Sequence, residues 1–215
     1  MTEQGKCFFL SRPRRFGKSL FIDTLKELFE ANQALFNGLY IQDKWDWSRP
    51  FPVVSISFAD GVLDSRAALD EKIHELLIDN QERLGVICTH RSISGQFAQL
   101  IRLARQKHGQ RVVVLIDEYD KPMLDNVTDH STALQMREGL KNLYSVIKKA
   151  DADIHFSFLA GVSKFSKVSL FSGLNSLRDI TLSPEFSALC GYTDQELDAV
   201  FGHPSAFSPI NWTAN

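Results

Sequence analysis

KCFFLSRPRRFGKSLFIDTL, residues 6–25, is the stretch from which the fold can be read. Lys6–Leu10 is short, apolar and rich in aromatic residues, which favours a strand. The segment after it is punctuated by Pro13 and Gly17. From Lys18 to Ala31 the apolar residues Phe21, Leu25, Leu28 and Phe29 recur at helical spacing, so one stripe of that helix can face a sheet. Strand, turn and amphipathic helix form the first half of a β-α-β unit.

The same alternation continues outward. Pro52–Phe58, Arg111–Asp117, Ile154–Leu159 and Arg178–Leu182 are further strands, and Leu69–Leu84, Ser94–Lys107 and Ala133–Lys149 further helices. Strands alternating with helices predict a three-layer α/β/α fold around a mostly parallel, five-stranded sheet. Within Arg111–Asp117 the run VVVLI is apolar at every position, as a central strand covered on both faces requires. Phe36–Pro52 contains Trp45, Trp47 and two prolines without a period, and is expected to be a packed loop. Thr193–Phe201 carries a capping-box pattern, Thr193 followed three residues later by Glu196, and is expected to be a helix. Residues 1–190 are therefore assigned to one α/β domain. Residues 191–215 are assigned to the start of a helical lid or linker, with no period in the tail HPSAFSPINWTAN.

Composition excludes several function classes. With 24 Lys and Arg against 26 Asp and Glu, the net charge is −2, giving no overall attraction to nucleic acid or anionic membrane. Cys7, Cys88 and Cys190 are odd in number, far apart and without metal-site spacing, which fits a reducing compartment. The N-terminal apolar run is too short for a signal peptide, and no stretch approaches the ~20 apolar residues of a membrane span. A cytoplasmic location is expected.

The chemistry begins at Arg12–Ser19. A phosphate-binding loop reads G-x-x-x-x-G-K-[ST], because backbone N–H groups and a helix N-terminus wrap a polyphosphate while the lysine reaches the β/γ oxygens and the hydroxyl ligates magnesium. Gly17, Lys18 and Ser19 match, and Arg12 stands at the first glycine, which is tolerable where φ stays negative. Arg14, Arg15, Phe16 and Leu20 complete the nucleotide-binding set, and the loop's arginines add charge that attracts phosphate. A lysine in the first helical turn opposes the helix dipole, a placement that makes sense beside an anion. Gly-Lys-Ser alone is common at helix starts; its position after a strand and its partner downstream carry the reading.

That partner is VVVLI running into Asp117-Glu118-Tyr119-Asp120. This is a Walker B arrangement, in which Asp117 belongs to the magnesium shell together with Ser19, and Glu118 polarises the attacking water. Asp120 and Lys121 are read either as lesser members of the site or as a solvent-exposed turn before Pro122, and are left out of the catalytic set. Val162–Lys167 follows the fourth strand at the end where open α/β sheets bind ligands, so Ser163 and Lys164 are candidate γ-phosphate sensors. Arg14 and Arg178 are candidates for a transition-state arginine. The six histidines show no metal spacing; His155 is read as a strand residue and the others as surface.

With these residues assembled, the chain resembles the AAA-ATPase-like family of bacterial P-loop proteins, often joined to a C-terminal PD-(D/E)XK-type nuclease domain. The resemblance rests on FLSRPRRFGKSLFIDTLKELFE, VVVLIDEYDKPM, FLAGVSKFSKVSLFSGLNSLRDITL and GYTDQELDAVF, in that order. It implies a sensor strand inserted between the phosphate-loop and Walker B strands, hence the order fifth, first, fourth, third, second. It also implies Walker A roles for Lys18 and Ser19, Walker B roles for Asp117 and Glu118, and a sensor role for Ser163 and Lys164. Arg12 is then a family trait.

Family members carry a further segment before the first strand that can help hold the base, whereas only Met1–Gly5 precede it here, so the chain is expected to be a fragment or short homologue. ATP with Mg2+ is the expected ligand pair, since no guanine-specifying NKxD follows Walker B. Slow ATP hydrolysis would drive a switch in an effector or nuclease domain of a partner chain. The alternative is a non-hydrolysing, nucleotide-gated regulatory module. Nucleic-acid binding by this chain itself is not expected.

Overall fold

The computed structural model describes residues 6–164, 170–171 and 177–201. The expected tail, Met1–Gly5 and the Phe165–Lys167 part of the sensor stretch lie outside the described residues. Five strands form one sheet: β1 (Cys7–Ser11), β2 (Val53–Ser57), β3 (Val112–Asp117), β4 (Ile154–Gly161) and β5 (Leu177–Asp179). Their order is β2-β3-β4-β1-β5 and every pairing is parallel. This is the expected order read from the opposite edge, with β4 between β1 and β3. The sheet is wholly parallel, where the sequence predicted mostly parallel.

Among the described residues the helices are α1 (Lys18–Phe29), α2 (Arg66–Leu84), α3 (Ile93–His108), α4 (Lys121–Leu124), α5 (His130–Lys149) and α6 (Asp194–Phe201), with 3-10 turns at Gln33–Phe36, Asp151–Asp153 and Pro184–Phe186. None is long and apolar enough to cross a membrane. The two-residue period of β3 divides the core. Val112, Val114 and Ile116 join the cluster built with α2, α3 and α5, whereas Val113 and Leu115 join Ile22, Leu25 and Phe29 of α1. VVVLI is therefore buried on both faces, and at roughly 1.5–3 kcal/mol per buried aliphatic side chain it anchors both layers.

The buried stripe of α1 is Lys18, Ile22, Leu25, Leu28 and Phe29. Ile22 takes the place expected for Phe21, which is half-buried and meets Phe158 edge-on. On the edge strand β2, Asn80 of α2 accepts from the Ser55 N–H at 2.9 Å and donates to the Ser55 carbonyl at 2.7 Å, supplying a strand partner's bonds from a side chain. A register shift separates the Val112–Ile154 and Val113–Phe156 pairs, leaving His155 without a ladder partner. Its imidazole stacks on Phe51 at 4.4 Å. His74 is half-buried and bonded to Gln96 at 2.8 Å, so it is not a surface residue as predicted.

Three helices begin earlier than hydrophobic period alone predicts, at caps the period does not register. Ser65, Ser92 and Asp129 accept from the N–H groups of Ala68, Gly95 and Thr132 respectively. β5 is shorter than the predicted Arg178–Leu182. Its ladder with β1 ends at the Phe9–Asp179 pair, after which Asp179 accepts from the Thr181 N–H and turns the chain away. The capping box at Thr193 forms as expected: Glu196 accepts from the Thr193 N–H at 2.7 Å, and Thr193 accepts from the Glu196 N–H at 3.2 Å.

Candidate functional site

The strands' carboxyl ends bring the loop after β1, the turn after β3 and the loop after β4 to one edge of the sheet. β1 ends at Ser11, whose Oγ donates to the Val162 carbonyl at 2.7 Å, and the Arg12 N–H donates to the Gly161 carbonyl at 3.2 Å. The chain then loops to Gly17, which caps α1 at φ 82°, a left-handed conformation that L side chains adopt only at a cost. Arg15, at φ 66°, shares that conformation without being glycine. Arg12 is not among the positive-φ residues, as its replacement of the first motif glycine requires.

Lys18 is 6% exposed, and its ammonium donates back to the carbonyls of Arg12 at 3.1 Å and Pro13 at 2.9 Å. The lysine thus ties its own loop into a closed ring over the start of α1. No side chain caps that start and no acidic residue lies in its first turn, so the N–H groups of Lys18, Ser19 and Leu20 have no side-chain acceptor. Positive partial charge, a buried ammonium and exposed Ser19 converge there. A Cβ built on Gly17 meets nothing within 4 Å, so the loop's mouth is open. This donor set suits a polyphosphate.

The loop's arginines diverge. Arg12 turns away and donates to the carbonyls of Ser11, Thr181 and Phe186, tying the loop to the chain after β5. Arg14 lines a cleft of about 620 Å³ with Glu118, Lys121, Gly61 and Asp64. Arg15, Phe16, Gly17 and Leu20 face the other way, lining a hollow of about 670 Å³ closed by Cys190, Tyr192 and Leu197. Arg178 lies over the rings of Phe8 and Phe186 and pairs with Glu185 at 3.1 Å, so of the two transition-state candidates it is Arg14 that reaches the Glu118 cleft.

At the end of β3, Asp117 is 5% exposed and accepts from the Glu118 N–H at 2.9 Å. Glu118 adopts φ 49°, left-handed backbone for a residue with a Cβ. Burial raises its pKa above the usual carboxylate range and the neighbouring Asp117 adds to the rise, while Lys121, Lys18 and Arg14 oppose it. The two halves of the site are thus within electrostatic reach of each other. A carboxylate with a raised pKa beside cations has the chemistry of a proton acceptor.

Asp120 is not part of a solvent-exposed turn. It is 1% exposed, and its carboxylate accepts from the Val162 and Ser163 N–H groups, the latter at 2.6 Å. Burial pushes its pKa up, and those backbone donors counter the rise. Lys121 opens α4, donating to the Gly61 carbonyl and pairing with Asp125 at 2.6 Å. Of the two sensor candidates, Ser163 is joined to the turn after β3: Tyr119 Oη donates to its carbonyl. Sequence reasoning also missed Cys190 and Tyr192. Their signal was weak, since only the tertiary fold brings them to Phe16, whose carbonyl accepts from the Gly191 N–H at 3.0 Å.

A family model described as a predicted AAA-ATPase matches residues 1–171. The chain is also 58% identical, over 201 residues, to a protein of Azotobacter chroococcum mcd 1 described as an uncharacterized protein in vnfD 5'region. That match covers 94% of this chain and 39% of the relative, so the chain spans about two fifths of the relative's length. Fold, strand order and matched span agree, and the chain belongs to the AAA-ATPase-like family.

Proposed function

We propose that this chain binds ATP with magnesium and hydrolyses it. The observation that carries the reading is the buried Lys18, clasped by its own loop at an uncapped helix start, within electrostatic reach of Glu118. An ammonium beside helix-start N–H groups that no side chain caps is a donor set suited to an external anion.

In this reading the backbone of Arg14–Ser19 wraps the phosphates and Lys18 reaches the β/γ oxygens. Ser19 Oγ and Asp117 would hold magnesium jointly with the phosphates. Magnesium supplies charge neutralisation on the transferring phosphoryl group. Glu118 orients the attacking water and takes its proton, with Arg14 on the same cleft to stabilise the developing charge. Ser163 and Lys164 register the γ-phosphate. The apolar hollow beside Gly17, with Phe16 and the exposed ring of Tyr192, accepts the base. The output is a conformational switch read by an effector, in a partner chain or in chain length such as the relative has beyond the match.

Isothermal titration of the parent and Lys18→Ala with Mg·ATPγS, with phosphate release followed on the same samples, tests this. Binding by the parent that Lys18→Ala abolishes, with slow release by the parent, supports an ATPase. Binding without release would make the chain a nucleotide-gated module, and no binding by a folded parent would defeat the reading.

A further inference from the structure

We propose that Tyr119 and Asp120 are positioning residues that lock the Glu118 turn to the loop carrying Ser163, so that the two move as one unit; this rests on the ATPase reading above. The bonds run from consecutive residues of one turn to both sides of a single peptide neighbourhood. Asp120 accepts from Val162 N–H at 3.2 Å and from Ser163 N–H at 2.6 Å, and Tyr119 Oη donates to the Ser163 carbonyl. The Tyr119 N–H donates to the Ala160 carbonyl at 3.1 Å, and the Tyr119 carbonyl accepts from Tyr144 Oη at 2.9 Å. Tyr119 and Tyr144 are fully buried and Asp120 is 1% exposed.

The contact leaves no slack. A Cβ on Gly161 would lie 2.4 Å from both Asp120 Oδ1 and Tyr119 Cε1, so glycine at that position is a condition of the lock. The purpose of so rigid a joint is visible one residue earlier. Glu118 is held at φ 49°, a conformation that is unfavourable for a non-glycine residue and persists where the surroundings fix it. A buried carboxylate is an expensive way merely to close a turn, because its charge must be satisfied by hydrogen bonds. Here bonds from the Val162 and Ser163 N–H groups bring that satisfaction from the backbone at the candidate sensor. A γ-phosphate contact by Ser163 or Lys164 would therefore fix the orientation of Glu118, and loss of that phosphate would release both together.

The test uses Asp120→Asn and Tyr119→Phe, compared with the parent for melting temperature, Mg·ATPγS affinity and single-turnover phosphate release. Neither residue is placed on nucleotide, so affinity should stay within about threefold while turnover falls by about 10–100-fold in Asp120→Asn and less in Tyr119→Phe, since misplacement by ~1 Å can cost 10²-fold. The double variant should fall little beyond Asp120→Asn alone, because both act on one joint. Turnover within twofold of the parent in both variants, or losses matched by equal loss of affinity, would overturn the lock while leaving the ATPase reading intact. If Asp120→Asn fails to fold, Tyr119→Phe decides alone by the same criteria. A parent that neither binds nor turns over nucleotide would defeat the ATPase reading, and the lock with it.

Discussion

The starts of α1 and of the three helices on the opposite face of the sheet differ in one respect. Ser65, Ser92 and Asp129 give α2, α3 and α5 a side-chain acceptor for an orphan N–H, whereas α1 begins at left-handed Gly17 with no such acceptor. A cap is worth about 1 kcal/mol to a helix. Leaving α1 without one gives up stability where a ligand would restore it. Helices that serve the fold satisfy their own ends; the helix that serves the site keeps its end open.

This contrast can be sharpened or broken by substitutions that should affect one property and spare the other. The largest effect is expected from Glu118→Gln, which should reduce phosphate release by about 10²–10⁴-fold, the range of general-base catalysis, while Mg·ATPγS still binds in titration. Lys18→Ala should weaken Mg·ATPγS binding by about 100-fold or more, consistent with truncating one member of a buried charge-assisted contact at 2–5 kcal/mol. Its melting temperature without nucleotide should change little by comparison. If Lys18→Ala lowered the melting temperature and left affinity intact, the open end of α1 would be a structural feature and no ligand site.

The pKa of Glu118 gives a third test. Turnover needs the ionised carboxylate, so it should rise with pH to a plateau, and the acid limb should vanish in Glu118→Gln. The linked stability effect has the opposite sense. A carboxyl whose folded pKa is raised favours the native state where it is protonated, and that advantage is lost as pH rises through the folded value. Near neutrality, without nucleotide, Glu118→Gln should therefore melt at a somewhat higher temperature than the parent.

The smallest expected effect lies on the other side of the comparison. Ser92→Ala should cost about 1 kcal/mol of stability, read in denaturant unfolding, with nucleotide affinity unchanged. A capping variant on α3 that altered affinity as much as stability would show that the two kinds of helix end are not separable.

Much of this was legible in the sequence. The five strands and four crossover helices announce themselves through period and length, because a helix on a sheet must bury one stripe and a central parallel strand both faces. Family resemblance supplied the strand order that period cannot. Less legible were Ser65, Ser92 and Asp129, which extend their helices outside the apolar pattern. Asp120 was the least legible: acidic and two residues before a proline, it reads as well as an exposed turn as it does as a member of the site. Its burial depends on Gly161 and on backbone N–H groups some forty residues away.

The sequence by itself determined the layers of the fold and the residues of the 12–19 loop and the Asp117–Glu118 turn, because hydrophobic period and local spacing act over a few residues at a time. Only the tertiary structure decided which arginine meets Glu118, that Arg12 and Arg178 are spent on packing, that Cys190 and Tyr192 close the hollow beside Gly17, and that Asp120 is a buried joint. Those facts concern where side chains from distant segments end up, and a one-dimensional pattern holds no distance between residues that meet only when the sheet closes.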